Sequence, residues 1–139
     1  MEAVTLLISF ISLCFSLFTW YRALIHDRKK DTLDAFNVLQ QQALDPLQSY
    51  TWARIREIAE DARSEEYRIV STYLARIEHF CVGVVQKVYD QRTVWELSEG
   101  FLNRGVYEKL KPIIEHKNQQ KNYYRNFLAV VEKMNREEV

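Results

Sequence analysis

Nineteen consecutive residues without a charge, Ala3 to Tyr21, decide most of what this chain can become. At a helical rise of about 1.5 Å per residue the run is about 28 Å long, close to a bilayer hydrocarbon core of about 30 Å. Glu2 closes it on one side and Arg22 on the other. Trp20 and Tyr21 sit at the Arg22 end, where aromatic rings favour the headgroup layer, and Arg22, Arg28, Lys29 and Lys30 follow. By the positive-inside rule this end is cytoplasmic and the N-terminus lies outside. A cleaved signal peptide would carry its charges before the apolar run and small residues at its end; here the charges follow, and Leu17-Phe18-Thr19-Trp20 offers no such site. A buried helix of a soluble protein is the other reading, and so long an uncharged run argues against it.

The polar residues in the run are Thr5, Ser9, Ser12, Ser16 and Thr19, spaced 4, 3, 4 and 3. At about 100° per residue they share an arc of about 80°. Three readings stay open. The hydroxyls bond their own i−4 carbonyls and nothing more; or they form a seam to a partner helix, most simply a second copy; or a ring of helices turns them toward water as a pore lining. The face continues below through Ala23, Asp27, Lys30 and Asp34, a pattern suited to ion pairs between subunits just under the membrane.

Beyond Lys30 the composition changes. Four of the 19 Lys+Arg and two of the 19 Asp+Glu precede Asp31, which leaves 15 against 17 for the remainder. A near-neutral domain without clustered positive charge argues against nucleic acid as a partner. Three Gly and two Pro speak for long helices rather than a turn-rich β fold. The reading is all-α: residues 1–30 an anchor with a basic flank, residues 31–139 a cytoplasmic bundle of about five helices.

The first helix is expected to run unbroken to about Leu44, with Leu33, Phe36, Leu39 and Ala43 inward, and to stop at Asp45-Pro46. A second helix spans 47–63 with Trp52, Ile55 and Ile58 inward. Ser64 caps a third, running to about Asp90, with Val70, Tyr73, Leu74, Ile77, Cys81, Val84 and Val88 on its apolar face. Thr93 and Glu96 have capping-box spacing for a short helix ending near Gly100 or Gly105. A further helix covers 106–116 around Leu110 and Ile113, where Pro112 should bend it or start a new turn. The last covers 118–137 with Tyr124, Phe127, Leu128, Val131 and Met134 inward.

No chemistry stands out. The glycines cannot form a phosphate loop, and no H-E-x-x-H occurs. His26, His79 and His116 are far apart in sequence, and His79 should face solvent, about 160° from Ile77. The Arg…His spacing of small helical HEPN-type RNases is absent from both Arg22–His26 and Arg76–His79. Asp27, Asp31 and Asp34 lack the inward His partners of a di-metal site. Cys14 and Cys81 read as free thiols. The tyrosines Tyr67, Tyr73, Tyr89, Tyr107, Tyr123 and Tyr124 read as core edge. No enzyme, metal or cofactor is expected; the expected partners are the lipid bilayer, further copies of the chain, and a possible protein partner.

The stretch R-I-E-H-F at 76–80 and F-L-N-R-G-V-Y-E-K-L-K-P-I-I-E at 101–115, behind an N-terminal membrane helix, resembles a family of small bacterial membrane proteins defined only as a domain of unknown function. The resemblance implies a bacterial inner-membrane location and carries no catalytic residues. In layout the chain is also similar to membrane pore accessory proteins of RNA-targeting (type VI-B) CRISPR systems, which implies an oligomeric pore-forming effector in antiviral defence against phage. A membrane-tethered adaptor for a protein partner is the alternative.

Overall fold

The computed structural model describes residues 1–99 and 101–137, without the side chain of Asn103. The architecture is all-α: a long apolar N-terminal helix followed by a helical bundle, with no strand among the described residues. Helix α1 spans Glu2–Leu39 and passes through a wider π-helical stretch, Gln40–Leu44, into the one-turn α2, Asp45–Gln48. Then follow α3 (Trp52–Glu60), α4 (Glu65–Val85), α5 (Gln91–Ser98), a second π-helical stretch (Phe101–Tyr107), α6 (Glu108–Asn118) and α7 (Arg125–Glu137).

Helix α4 organises the bundle. Its buried residues Val70, Leu74, Ile77, Cys81 and Val84 recur at 3/4 spacing, and it packs along α7 and against α1 and α3. Helix α6 closes on α3, and α5 returns to α1. Phe36 of α1 meets Phe80 of α4 edge-on at 5.9 Å, and Phe80 stacks on Tyr89 at 5.2 Å. Ser64 caps α4 as its sequence position predicts, accepting from the Tyr67 N–H at 3.1 Å.

Several expectations are corrected. Pro46 does not stop the first helix: Asp45 keeps helical angles, and the chain turns only after Gln48. Proline lacks the N–H that would meet the Gln42 carbonyl; Arg76 Nη1 approaches that oxygen at 3.3 Å and the Gln42 side-chain oxygen at 3.2 Å. Leu33 is 41% exposed, and Thr32 takes the buried place beside it. Leu47 belongs to α2, and the next helix starts only at Trp52, capped by the Thr51 hydroxyl, which leaves Trp52 50% exposed while Ile55 and Ile58 are buried.

Helix α4 ends at Val85, because Lys87 turns into the left-handed region at φ 59°. Val88 lies past that turn and is 61% exposed. Asp90, not Thr93, caps α5: its carboxylate accepts from the Thr93 N–H at 3.0 Å and the Thr93 hydroxyl at 2.6 Å. Helix α5 ends at Ser98, with Glu99 left-handed at φ 42°; Gly100 lies outside the described residues, and Gly105 sits within the π-helical stretch rather than at an end. Pro112 lies inside α6, which continues to Asn118. The last helix begins at Arg125, and Val130 is buried where Leu128 is only half-buried.

Candidate functional site

The side chains of residues 1–27 are all exposed, while Thr32, Phe36 and Leu39 of the same helix are buried against the bundle. The window of α1 long and apolar enough to cross a membrane buries none of its residues within the chain. Leu6, Phe10, Leu13, Phe15 and Phe18 are all more than half exposed. Apolar surface on that scale is stable only against another apolar phase.

Because α1 is regular from Glu2 to Leu39, its faces are fixed from end to end. At about 100° per residue the bundle contacts Arg28, Thr32, Phe36 and Leu39 center about 180° from the stripe Thr5, Ser9, Ser12, Ser16 and Thr19. The bundle therefore leaves the stripe face open. Asp27, Lys30 and Asp34, which prolong it, are likewise exposed. Thr5, Ser9 and Thr19 donate to the carbonyls of Met1, Thr5 and Phe15, four residues back, at 2.9 to 3.1 Å. Those three hydroxyls satisfy the local reading of the stripe. The hydroxyls of Ser12 and Ser16 make no hydrogen bond among the described residues.

At the basic flank, Trp20, Tyr21, Arg22, Lys29 and Lys30 are exposed, and the Arg22 guanidinium lies over the Phe18 ring at 5.9 Å. Arg28 is different. Its Nη2 donates to the Lys87 carbonyl and, at 3.2 Å, to that of Tyr89, so a cation holds the turn that follows α4. One turn on, the Thr32 hydroxyl donates to the Arg28 carbonyl at 2.7 Å and accepts from the Asp90 N–H at 2.7 Å. Arg28 and Thr32 together fasten α1 to the α4–α5 connection. The Asp90 carboxyl is held below its usual range, first by the Thr93 hydroxyl bond and further by the charges of Lys29 and Arg28. This clasp joins residues nearly 60 apart, and no local pattern in the sequence signals it.

Beside the clasp, α1 and α4 leave a groove of about 530 Å³, lined by buried Leu39 and Phe80 and exposed Val38 and Ala75, with Asp34 on the α1 side and Arg76 and His79 on the α4 side. His79 faces solvent as expected. A Cβ at Gly83 would overlap the ring of Tyr89, which walls the groove's end.

On the far side, Tyr67 Oη and His116 Nδ1 are 2.8 Å apart, and Lys117 Nζ lies 5.7 Å from the Tyr67 ring and 6.0 Å from that of Tyr123. Burial pushes the Tyr67 hydroxyl up and the Lys117 ammonium down. No carboxylate hydrogen-bonds His116 among the described residues, so the Tyr67–His116 pair has no third, orienting acid. Glu78, beside His79, is a helix cap: its carboxylate accepts from the N–H groups of Asn126 at 3.0 Å and Phe127 at 2.7 Å, at the start of α7. Cys81 is buried, which pushes its thiol far up and makes it unreactive, whereas Cys14 is exposed on α1. No group of three or more His, Cys, Asp or Glu able to hold a metal ion occurs among the described residues.

No curated protein and no solved structure matches the chain significantly. A family model does match, over residues 6–134, taking in both the apolar half of α1 and nearly all of the bundle. The chain belongs to the DUF4760 family, a domain of unknown function.

Proposed function

We propose that this is an oligomeric single-pass membrane protein of the bacterial cell membrane, with its N-terminus outside and its bundle in the cytoplasm. Copies associate through the open face of α1, and the assembly perturbs or opens the bilayer. The observation that carries the reading is the free stripe face: it runs the length of α1 on the side away from the bundle, with hydroxyls within the apolar half and charges below it. Small hydroxyl residues allow close helix approach in lipid, and a ring would turn them toward water. The reading is non-enzymatic, with no cofactor and no nucleic acid partner. The likeness in layout to CRISPR pore accessory proteins makes antiviral defence the biological setting to test.

The test expresses three forms in bacteria and follows membrane potential and phage plating. These are the native chain, Ser9→Leu/Ser12→Leu/Ser16→Leu, and a chain in which a foreign transmembrane helix replaces residues 3–21. The reading expects depolarisation and reduced plating from the native chain, and loss of both from the other two while they stay in the membrane. Retained activity in the helix-swapped form would overturn it in favour of a tethered adaptor, whose helix only anchors.

A further inference from the structure

Below Arg22 the exposed part of α1 sorts its charges by edge. Asp27, Asp31 and Asp34 recur at spacings of 4 and 3, and Val38 follows at 4. Arg22, His26 and Lys30 recur at 4 and 4, and Leu33 follows at 3. At about 100° per residue the first set shares an arc of about 60°, the second an arc of about 80°, and their centres stand about 115° apart. All eight side chains are exposed. The acidic edge borders the α1–α4 groove, which Asp34 and Val38 of this edge line on one side and Arg76 and His79 of α4 on the other. The basic edge lies on the other side of the stripe and ends in an exposed leucine.

We infer that the α1–α4 groove receives the basic edge of α1 from a second copy of this chain, head to tail, with Leu33 of that copy against Val38 and its Arg22, His26 and Lys30 opposite Asp27, Asp31 and Asp34. The inference rests on the oligomeric reading above and adds its geometry. Charge complementarity selects the occupant. In parallel helices at equal height, a residue on one helix meets one about a turn further along its neighbour, as in the charged flanks of coiled coils. Arg22 precedes Asp27 by five positions, His26 precedes Asp31 by five, and Lys30 precedes Asp34 by four.

A symmetric parallel pair would match the same edges across the face between them, as the flanks of a two-stranded coiled coil do, and would stop at the dimer. A repeated head-to-tail contact matches both edges of every copy, and it closes into a ring when the edges are less than 180° apart. Edges about 115° apart suit a ring on the order of six copies. The midline between the edges coincides with the hydroxyl stripe, so in such a ring the stripe faces the axis and the bundles lie outside. Above Arg22 both edges turn apolar, with Ile8, Ile11 and Phe15 on one and Leu6, Leu13 and Trp20 on the other.

The test uses two full-length variants whose edges carry one sign each. In Asp27→Lys/Asp31→Lys/Asp34→Lys both edges are basic; in His26→Glu/Lys30→Glu both are acidic or nearly so, and Arg22 is kept for topology. Every substituted residue is exposed, so thermal unfolding of the bundle should match the native chain and serves as the folding control. Particle mass in detergent is then measured for each variant alone and for the two co-expressed. The inference expects a ring from the native chain, at least a tenfold weaker assembly from either variant alone, and a ring of alternating copies when they are combined. A second measurement places Leu33→Cys and Val38→Cys in a chain with Cys14→Ser and Cys81→Ala. Oxidation should give a ladder beyond the dimer with both cysteines together and none with either alone. Ring assembly by either variant alone, failure of the mixture to assemble, or dimers from a single cysteine would overturn the docking mode and leave the oligomeric reading standing. A monomeric native chain would overturn both.

Discussion

The two halves of α1 are the same regular helix with opposite fates. Residues 3–21 are apolar and bury nothing within the chain; residues 28–39 are more polar and bury a complete face. The difference lies in what the chain provides to cover each. Phe36 and Leu39 have α4 and the residues around Tyr89 beside them. Phe10, Phe15 and Phe18 have nothing, although each would contribute about 1.5–3 kcal/mol on burial. Apolar content therefore does not locate this protein's core. In the lower half the core is intramolecular; the upper half has no cover within the chain, and the proposed function supplies it from lipid and other helices.

Large core truncations divide the halves most sharply. Phe127 is fully buried and packs edge-on against Tyr107 at 5.8 Å. Phe127→Ala should cost the bundle about 3–5 kcal/mol, while Phe15→Ala should shift bundle unfolding by less than about 0.5 kcal/mol. Denaturant unfolding in detergent, followed by tryptophan fluorescence, reads both. A comparable loss in Phe15→Ala would mean that the upper half packs on the bundle after all.

The long-range cap comes next. Glu78→Ala strips the start of α7 of its acceptor and should destabilise by about 1–2 kcal/mol; Glu78→Gln, which keeps an acceptor oxygen, should recover part of this. If Glu78→Ala unfolds with the native midpoint, the cap contributes nothing.

The clasp of the lower half on the α4–α5 connection should yield a more local effect. Arg28→Ala removes the donor to two carbonyls and should cost about 1–2 kcal/mol, seen chiefly as faster amide exchange at residues 86–90. Exchange spread evenly over α4 instead would show that Arg28 does not hold that turn.

The smallest expected effect depends on pH. Asp90 is depressed in the folded chain, so its capping stabilises above the ordinary carboxylate range and fades as pH falls through the folded value. Asp90→Ala should therefore cost about 1 kcal/mol at pH 7, with native and variant converging in acid. A gap that persists at low pH would assign the loss to packing.

How much was legible in the residues follows the range of the interactions. The long apolar first helix, the Ser64 cap and the α4 face from Val70 to Val84 are local patterns, and all appear in the structure. Helix ends were less legible. The Asp45-Pro46 stop fails: the helix widens to π geometry over Gln40–Leu44 and continues to Gln48, while Arg76, 34 residues from Gln42, donates to the carbonyl that proline leaves free. Thr93 looks like a cap by spacing, but Asp90 three residues earlier outcompetes it with a carboxylate. The Leu33 and Thr32 exchange is invisible to hydropathy, since a threonine gains a buried place only when its hydroxyl finds two partners, here the Arg28 carbonyl and the Asp90 amide. Of the candidate site, the stripe was readable as a period. Its position opposite the bundle needed the fold.

The central claim is that the upper half of α1 finds in other copies what the lower half finds in its own chain. Light scattering of the detergent-extracted protein, with the detergent contribution subtracted, tests it most directly. The account predicts a particle on the order of six copies that persists on dilution. A monomer at every concentration would contradict it.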